Sequence, residues 1–129
     1  MISVTKIVKF DAAHFLPGYK GKCANMHGHT WVIEIEVARP DNYYDEETGM
    51  VLDFSFFKDA LQGNYLEKLD HKVLNEVPNL QNPTAEVICE WTRNTMINAF
   101  GFGRTGVEVI RVRVWESDSS YAEWRCDED

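Results

Sequence analysis

Cysteine is scarce in this chain: Cys23, Cys89 and Cys126 stand at irregular spacing, with no CxxC among them. That excludes a cysteine-rich zinc module and a disulfide framework, and suits free thiols in a reducing compartment. Basic residues are outnumbered, 13 Lys and Arg against 21 Asp and Glu, for a net charge of −8. General affinity for nucleic acid or an anionic membrane needs a basic surface, so neither is an expected partner and a small-molecule ligand is. No apolar run approaches the roughly 20 residues of a membrane span. Residues 1–10 alternate Lys with apolar side chains where a secretory signal would carry an unbroken apolar core, which predicts a cytoplasmic protein. The 129 residues, 44% hydrophobic, suffice for one domain spanning 1–129 and are too few for two ordinary ones. Repeats and low-complexity tracts are absent, and only the Asp-Glu-Asp terminus reads as disordered.

What is there is a succession of strands, helices and strands. From Val4 to His14 the positions Val8, Phe10, Ala12 and His14 share one face of a period-two segment, which aims His14 inward at the strand end. A second strand begins at His27-Gly28-His29 and continues through Trp31, Ile33, Ile35 and Val37 on the same face. The polar stretch from Arg39 to Gly49 reads as a surface connection. Asp53 or Ser55 caps a first helix with Phe57, Ala60, Leu61, Tyr65 and Leu69 at helical spacing, interrupted by Gly63. Asn82 and Pro83 announce a second, carrying Ile88, Trp91, Thr95, Met96 and Ala99 and stopping near Gly101. Ile110, Val112, Val114 and Glu116 then line one face of a strand, and a Ser-Asp-Ser-Ser turn leads to a short last strand around Ala122 to Trp124. The order ββααββ predicts an α+β fold: an antiparallel four-stranded sheet covered on one face by two helices. Its two open edges are a liability that oligomerisation into a barrel would remove.

Three histidines carry the chemistry. His14, His27 and His29 lie at strand ends on one face, and three imidazoles leave a tetrahedral metal one open position, as catalytic zinc sites do. Gly28 between two ligands lets the backbone approach an ion or a neighbouring chain. A closed structural site would need a fourth ligand, for which Cys23 is the near candidate. The loop that holds Cys23 also contains Lys20 and Lys22, and nearby cations favour its thiolate, a competent base or nucleophile; Cys89, on a helix, reads as a small buried hydrophobe. Asp70 next to His71 at a helix end can fix an imidazole tautomer for proton transfer, although such a dipeptide is often surface decoration. Glu116 in an apolar register needs a partner, either an arginine or the parallel N–H donors of a guanine-like or pterin-like ring.

Taken together, Phe10-Asp11-Ala12-Ala13-His14, Cys23-Ala24-Asn25-Met26-His27-Gly28-His29, Leu69-Asp70-His71, Pro83-Thr84-Ala85-Glu86 and Val114-Trp115-Glu116 resemble the 6-pyruvoyltetrahydropterin synthase and 6-carboxytetrahydropterin synthase family. The blocks come in the family's order and span nearly the whole chain. The three residues between Cys23 and His27 resemble the bacterial 6-carboxytetrahydropterin synthases, whereas the pyruvoyl enzymes usually have five. The resemblance implies a tunnelling fold, or T-fold, whose sheets join into a barrel in a homo-oligomer, a trimer or a dimer of trimers with sites between subunits. It implies Zn2+ on His14, His27 and His29, a pterin anchored by Glu116, proton transfer by Cys23, Asp70 and His71, and a pocket wall at Thr84 and Glu86. Val87 departs from the pattern, which commonly has asparagine there.

The implied reaction converts 7,8-dihydroneopterin triphosphate to 6-carboxy-5,6,7,8-tetrahydropterin, with release of acetaldehyde and triphosphate, on the route to queuosine and other 7-deazaguanines. Alternatives are the pyruvoyl reaction, which eliminates triphosphate without carbon–carbon cleavage, a non-catalytic zinc or pterin-binding protein, and a zinc hydrolase with Glu86 or Glu116 as base.

Overall fold

The computed structural model describes residues 1–101 and 105–127. Two long strands, β1 (Ser3–His14) and β2 (His27–Ala38), pair antiparallel along their whole length. Their register sets Phe10 against Trp31, Ala12 against His29 and His14 against His27, so the period-two pattern brings the histidines to one end of one face. Further down that face Trp31, Ile33, Ile35 and Val37 are fully buried, each apolar side chain worth about 1.5–3 kcal/mol of burial. That burial fixes the register, because a slip of one residue would turn the whole row, histidines included, toward solvent.

The first helix starts where its cap predicts: Asp53 accepts the Ser55 N–H at 2.7 Å. Helix α1 (Phe54–Leu61) runs on through a π-turn (Gln62–Leu66), which contains Gly63, into a last α-turn (Glu67–Leu69). Phe57, Ala60, Leu61, Tyr65 and Leu69 all face the core as their spacing predicts. A two-residue strand, β3 (Lys72–Val73), then adds in parallel to the end of β1. Helix α2 (Ala85–Phe100) is capped by Thr84, whose Oγ1 accepts the Val87 N–H at 3.1 Å. Asn82 and Pro83 therefore precede the helix instead of opening it, and Asn82 takes a positive φ of 50°. The buried stripe of α2 is Ile88, Cys89, Thr92, Met96 and Phe100, with Trp91, Thr95 and Ala99 only half-buried at its flank. Thr92 is accommodated there by a 2.8 Å hydrogen bond to the Tyr65 hydroxyl. Gly101 ends the helix with φ 47°.

Strands β4 (Glu108–Ser117) and β5 (Ser120–Arg125) complete a sheet of order β3-β1-β2-β4-β5. Five strands thus replace the expected four, because β3 is too short to show a period. A bulge opposite Glu36 and Val37 makes Ile110 the extra residue of β4. It corrects the expected face: Val107 and Val109 join Val112 and Val114 in the core, while Ile110 is half-buried. The helices cover one face of the sheet. The other carries an ion-pair ladder in which Arg111 bonds Glu36 at 2.7 Å and Arg113 bonds Glu123 at 2.5 Å. Glu128 and Asp129 of the terminus expected to be disordered lie outside the described residues.

Candidate functional site

The ends of β1 and β2 bring the three histidines together: one ligand nitrogen from each of His14, His27 and His29 lies within 4.8 Å of the others. Metal–nitrogen bonds of 2.0–2.1 Å at tetrahedral angles call for nitrogens about 3.3 Å apart, and His14 Nε2 stands 3.0 Å from His27 Nε2. The rings are aimed from behind. His14 Nδ1–H donates to the Pro83 carbonyl at 2.7 Å, and His27 Nδ1–H donates to the Asn25 carbonyl at 2.7 Å. With those tautomers both Nε2 lone pairs face each other, an arrangement that repels unless a cation sits between them. His29 Nε2 is buried and has no hydrogen-bond partner among the described residues. Burial holds the His29 imidazole below the ordinary histidine value; nearby Glu116 opposes this, and His14 and His27 reinforce it. Beneath, Trp31 packs edge-on against His14 and His29, with ring centroids 5.1 and 5.2 Å away, and its indole N–H donates to Ala12 O. Converging ring nitrogens, one of them buried without a hydrogen-bond partner among the described residues, and carbonyls that orient two of the rings together fit a divalent cation.

Among the described residues, the metal-competent group comprises these three histidines. Cys23 stands outside it, so the geometry lends no support to a closed site completed by that thiol. Cys23 is half-buried in a 3-10 turn (Lys22–Ala24), and its carbonyl accepts the Leu16 N–H at 2.9 Å, which ties the turn to the chain just after His14. Phe15, next to His14, is held by Asn75: its N–H donates to Asn75 Oδ1 at 3.0 Å, and its carbonyl accepts from Asn75 Nδ2 at 2.9 Å. Gly28 is not demanded by space within this chain, since a Cβ there would lie 3.9 Å from Ala12 O, an ordinary contact.

Asp70 and His71 do form a pair. The helix ends before them, Asp70 turns extended, and His71 takes a left-handed φ of 60°, which swings the ring back until Nδ1 lies 3.0 Å from Asp70 Oδ1. Asp11 clamps both through its backbone: its N–H donates to Asp70 Oδ1 at 3.1 Å, and its carbonyl accepts the His71 N–H at 2.7 Å. The Asp11 N–H, ahead of His71, holds the Asp70 carboxyl below the usual carboxylate range. An open cleft of about 530 Å³ is lined by His29 and His71 together with Asp11, Ala13, Gly28 and Thr30.

Glu116 lies in reach of the histidines, with Oε1 3.9 Å from His29 Nε2. The arginine alternative has no support, because Arg111 and Arg113 pair with Glu34, Glu36 and Glu123. Thr84 is the helix cap, directly after the Pro83 carbonyl that holds His14; Glu86 occupies the first turn, and Val87 packs against the core. Sequence reasoning missed Asp11, Asn25, Asn75 and Pro83. Three of these, Asp11, Asn25 and Pro83, act through backbone groups, and Asn75 is placed by a short 3-10 turn (Leu74–Glu76), none of which leaves a periodic signal.

Comparison with known proteins identifies the family and the fold. The profile of the 6-pyruvoyl tetrahydropterin synthase family matches residues 3–127. A 6-carboxy-5,6,7,8-tetrahydropterin synthase of Synechocystis is 38% identical over 83% of this chain and 84% of the relative. One from Haemophilus influenzae is 26% identical over 97% and 99% of the two chains. The solved 6-pyruvoyl tetrahydropterin synthase of Caenorhabditis elegans, 19% identical, superposes with a TM-score of 0.82 over 98% of this chain and 96% of its own. That last likeness concerns the fold.

Proposed function

Starting from the fact that the chain belongs to the 6-pyruvoyl tetrahydropterin synthase family, we propose that it is a zinc-dependent 6-carboxytetrahydropterin synthase. It takes 7,8-dihydroneopterin triphosphate and water to 6-carboxy-5,6,7,8-tetrahydropterin, acetaldehyde and triphosphate. The observation that carries this reading is the convergence of His14, His27 and His29 with Glu116 3.9 Å from the third of them. Metal ligands and a carboxylate suited to a ring with two N–H donors thus share one end of the sheet. The carboxy branch is favoured by the three residues between Cys23 and His27 and by the relatives bearing that name.

His14, His27 and His29 would hold the ion, which when bound supplies Lewis acidity to the hydroxyls of the substrate side chain. Glu116 accepts the pterin amino group and N3–H on its two oxygens, a bidentate arrangement that fixes the ring. Cys23, as thiolate, accepts a proton from the side chain. Asp70, kept ionised by the Asp11 N–H, takes the Nδ1–H of His71 and leaves Nε2 to exchange a proton with solvent or substrate. Oxidation of the side chain balances reduction of the ring, so no redox cofactor is required. Thr84 and Glu86 border the pterin, and the exposed Lys20 and Lys22 beside Cys23 suit the triphosphate. Oligomerisation of open-edged sheets into a barrel, as a trimer or a dimer of trimers, would cover the edges of β3 and β5. The product belongs to a route toward 7-deazaguanines such as queuosine, in the cytoplasm.

The test is mass spectrometry of the products from 7,8-dihydroneopterin triphosphate, before and after chelation and zinc return. Acetaldehyde and the carboxy-pterin, lost on chelation and restored by zinc, are expected. Triphosphate release without acetaldehyde would indicate the pyruvoyl reaction instead, and turnover indifferent to chelation would refute the metal's role.

A further inference from the structure

On the outer face of the sheet, opposite the helices, β4 carries Trp115 directly before Glu116. Adjacent strand residues point to opposite faces, so the Trp115 indole and the Glu116 carboxylate leave neighbouring Cα atoms in opposite directions. The ladder to β5 gives no restraint at Glu116: Trp115 pairs with Tyr121 and Ser117 with Ser120, which leaves Glu116 as the extra residue of a bulge. Bulges re-aim a side chain and free it from the regular ladder. Trp115, immediately before Glu116, is the last residue of β4 paired on both sides, with Val32 of β2 and Tyr121 of β5.

The Trp115 side chain is held as well as its backbone. Its indole N–H donates to Glu34 Oε2 at 2.5 Å, and its ring lies against Tyr121 with centroids 4.4 Å apart. Tyr121 in turn sits under the Arg113 guanidinium, 4.8 Å from its centroid. Glu34 is itself 16% exposed and faced by Arg111 at 3.8 Å and Arg113 at 4.0 Å. Glu34 thus spends one oxygen on the indole and turns the other to the two arginines.

We propose that Trp115 is a positioning residue: its outward indole, fixed by Glu34 and Tyr121, sets the backbone at which Glu116 turns toward His29, and so sets the affinity for a pterin ring. The inference rests on the reading of Glu116 as the pterin anchor. Bidentate recognition demands placement within a fraction of an ångström, which at a bulge depends on how firmly the neighbouring residues are held.

The experiment measures kcat and KM for 7,8-dihydroneopterin triphosphate, and the Kd of 7,8-dihydroneopterin on metal-free protein, in the parent, Trp115→Phe, Glu34→Gln, Glu34→Ala, Glu116→Gln and the Trp115→Phe/Glu116→Gln double variant. Trp115→Phe keeps a ring and loses the donor. It should raise KM and Kd about tenfold, the scale of one hydrogen bond, with metal content retained and kcat changed far less. Glu34→Gln keeps an acceptor and should remain closer to the parent than Glu34→Ala. The double variant should bind no worse than Glu116→Gln alone, since both act through one contact. If Glu116→Gln weakens binding while Trp115→Phe lowers only the melting temperature, Trp115 is merely structural and the proposal falls while the anchor stands. If Glu116→Gln leaves KM and Kd unchanged, the anchor reading itself falls.

Discussion

The two groups of titrating side chains near the end of the sheet are built in opposite ways. His14, His27 and His29 grow from strands paired over their full length; His14 is 1% exposed, and two of the rings are aimed by main-chain carbonyls. Asp70 and His71 stand on the turn after a helix, with side chains 42% and 77% exposed, and hold each other through one shared carboxylate oxygen. A metal needs nitrogens fixed to within a few tenths of an ångström, which a strand register supplies. A proton carrier needs a defined tautomer and access to solvent or substrate, which a clamped turn supplies. Rigidity and exposure are thus divided between the groups in the way the proposed roles of metal ligand and proton carrier require.

That division predicts different failures. His27→Ala should be the most damaging change, since it removes a ligand: metal content by elemental analysis should fall, and turnover should drop beyond the about 10–100-fold typical of losing an outer-shell partner. Cys23→Ala should cost about a thousandfold in kcat, within the usual span for an acid–base group, with metal still bound. Metal loss there would instead make Cys23 a ligand and erase the contrast. Asp70→Asn should lower kcat by about a hundredfold, the low end of that span because His71 remains, again with metal retained. Thr84→Ala should cost about 1 kcal/mol of stability through the lost cap, read by denaturant titration.

The smallest effect is in acid. Asp70 is held low first by the Asp11 N–H, and Glu123 first by its hydrogen bond from Arg113. Groups with depressed values stabilise the fold above the unfolded carboxylate range of about pH 4. That contribution drains away as pH falls through the depressed values. Asp70→Asn should therefore make the melting temperature slightly less sensitive to pH below about 4, whereas an unchanged acid limb would mean that Asp70 gains little from its clamp.

How much of this was legible follows from period. His14, His27 and His29 were readable because alternation puts every second residue of a strand on one face, and a two-residue spacing puts both histidines of HGH there. Asp70 and His71 were readable as neighbours, but their pairing depends on a left-handed φ at His71 and on β3, two residues long. Glu116 falls on the face that alternation predicts, although Ile110 does not, because a bulge shifts the phase between them. Asn82 and Pro83 looked like a helix start, yet the chain spends the Pro83 carbonyl on His14 and lets Thr84 cap the helix. Main-chain carbonyls belong to every residue, so nothing in side-chain identity marks those that orient a ligand.

X-ray absorption spectroscopy of the zinc-loaded protein tests the central claim most directly. Three histidine nitrogens at about 2.0–2.1 Å with one light solvent ligand are predicted. A sulfur at about 2.3 Å, the mark of a thiolate closing the site, would contradict an open centre and the chemistry built on it.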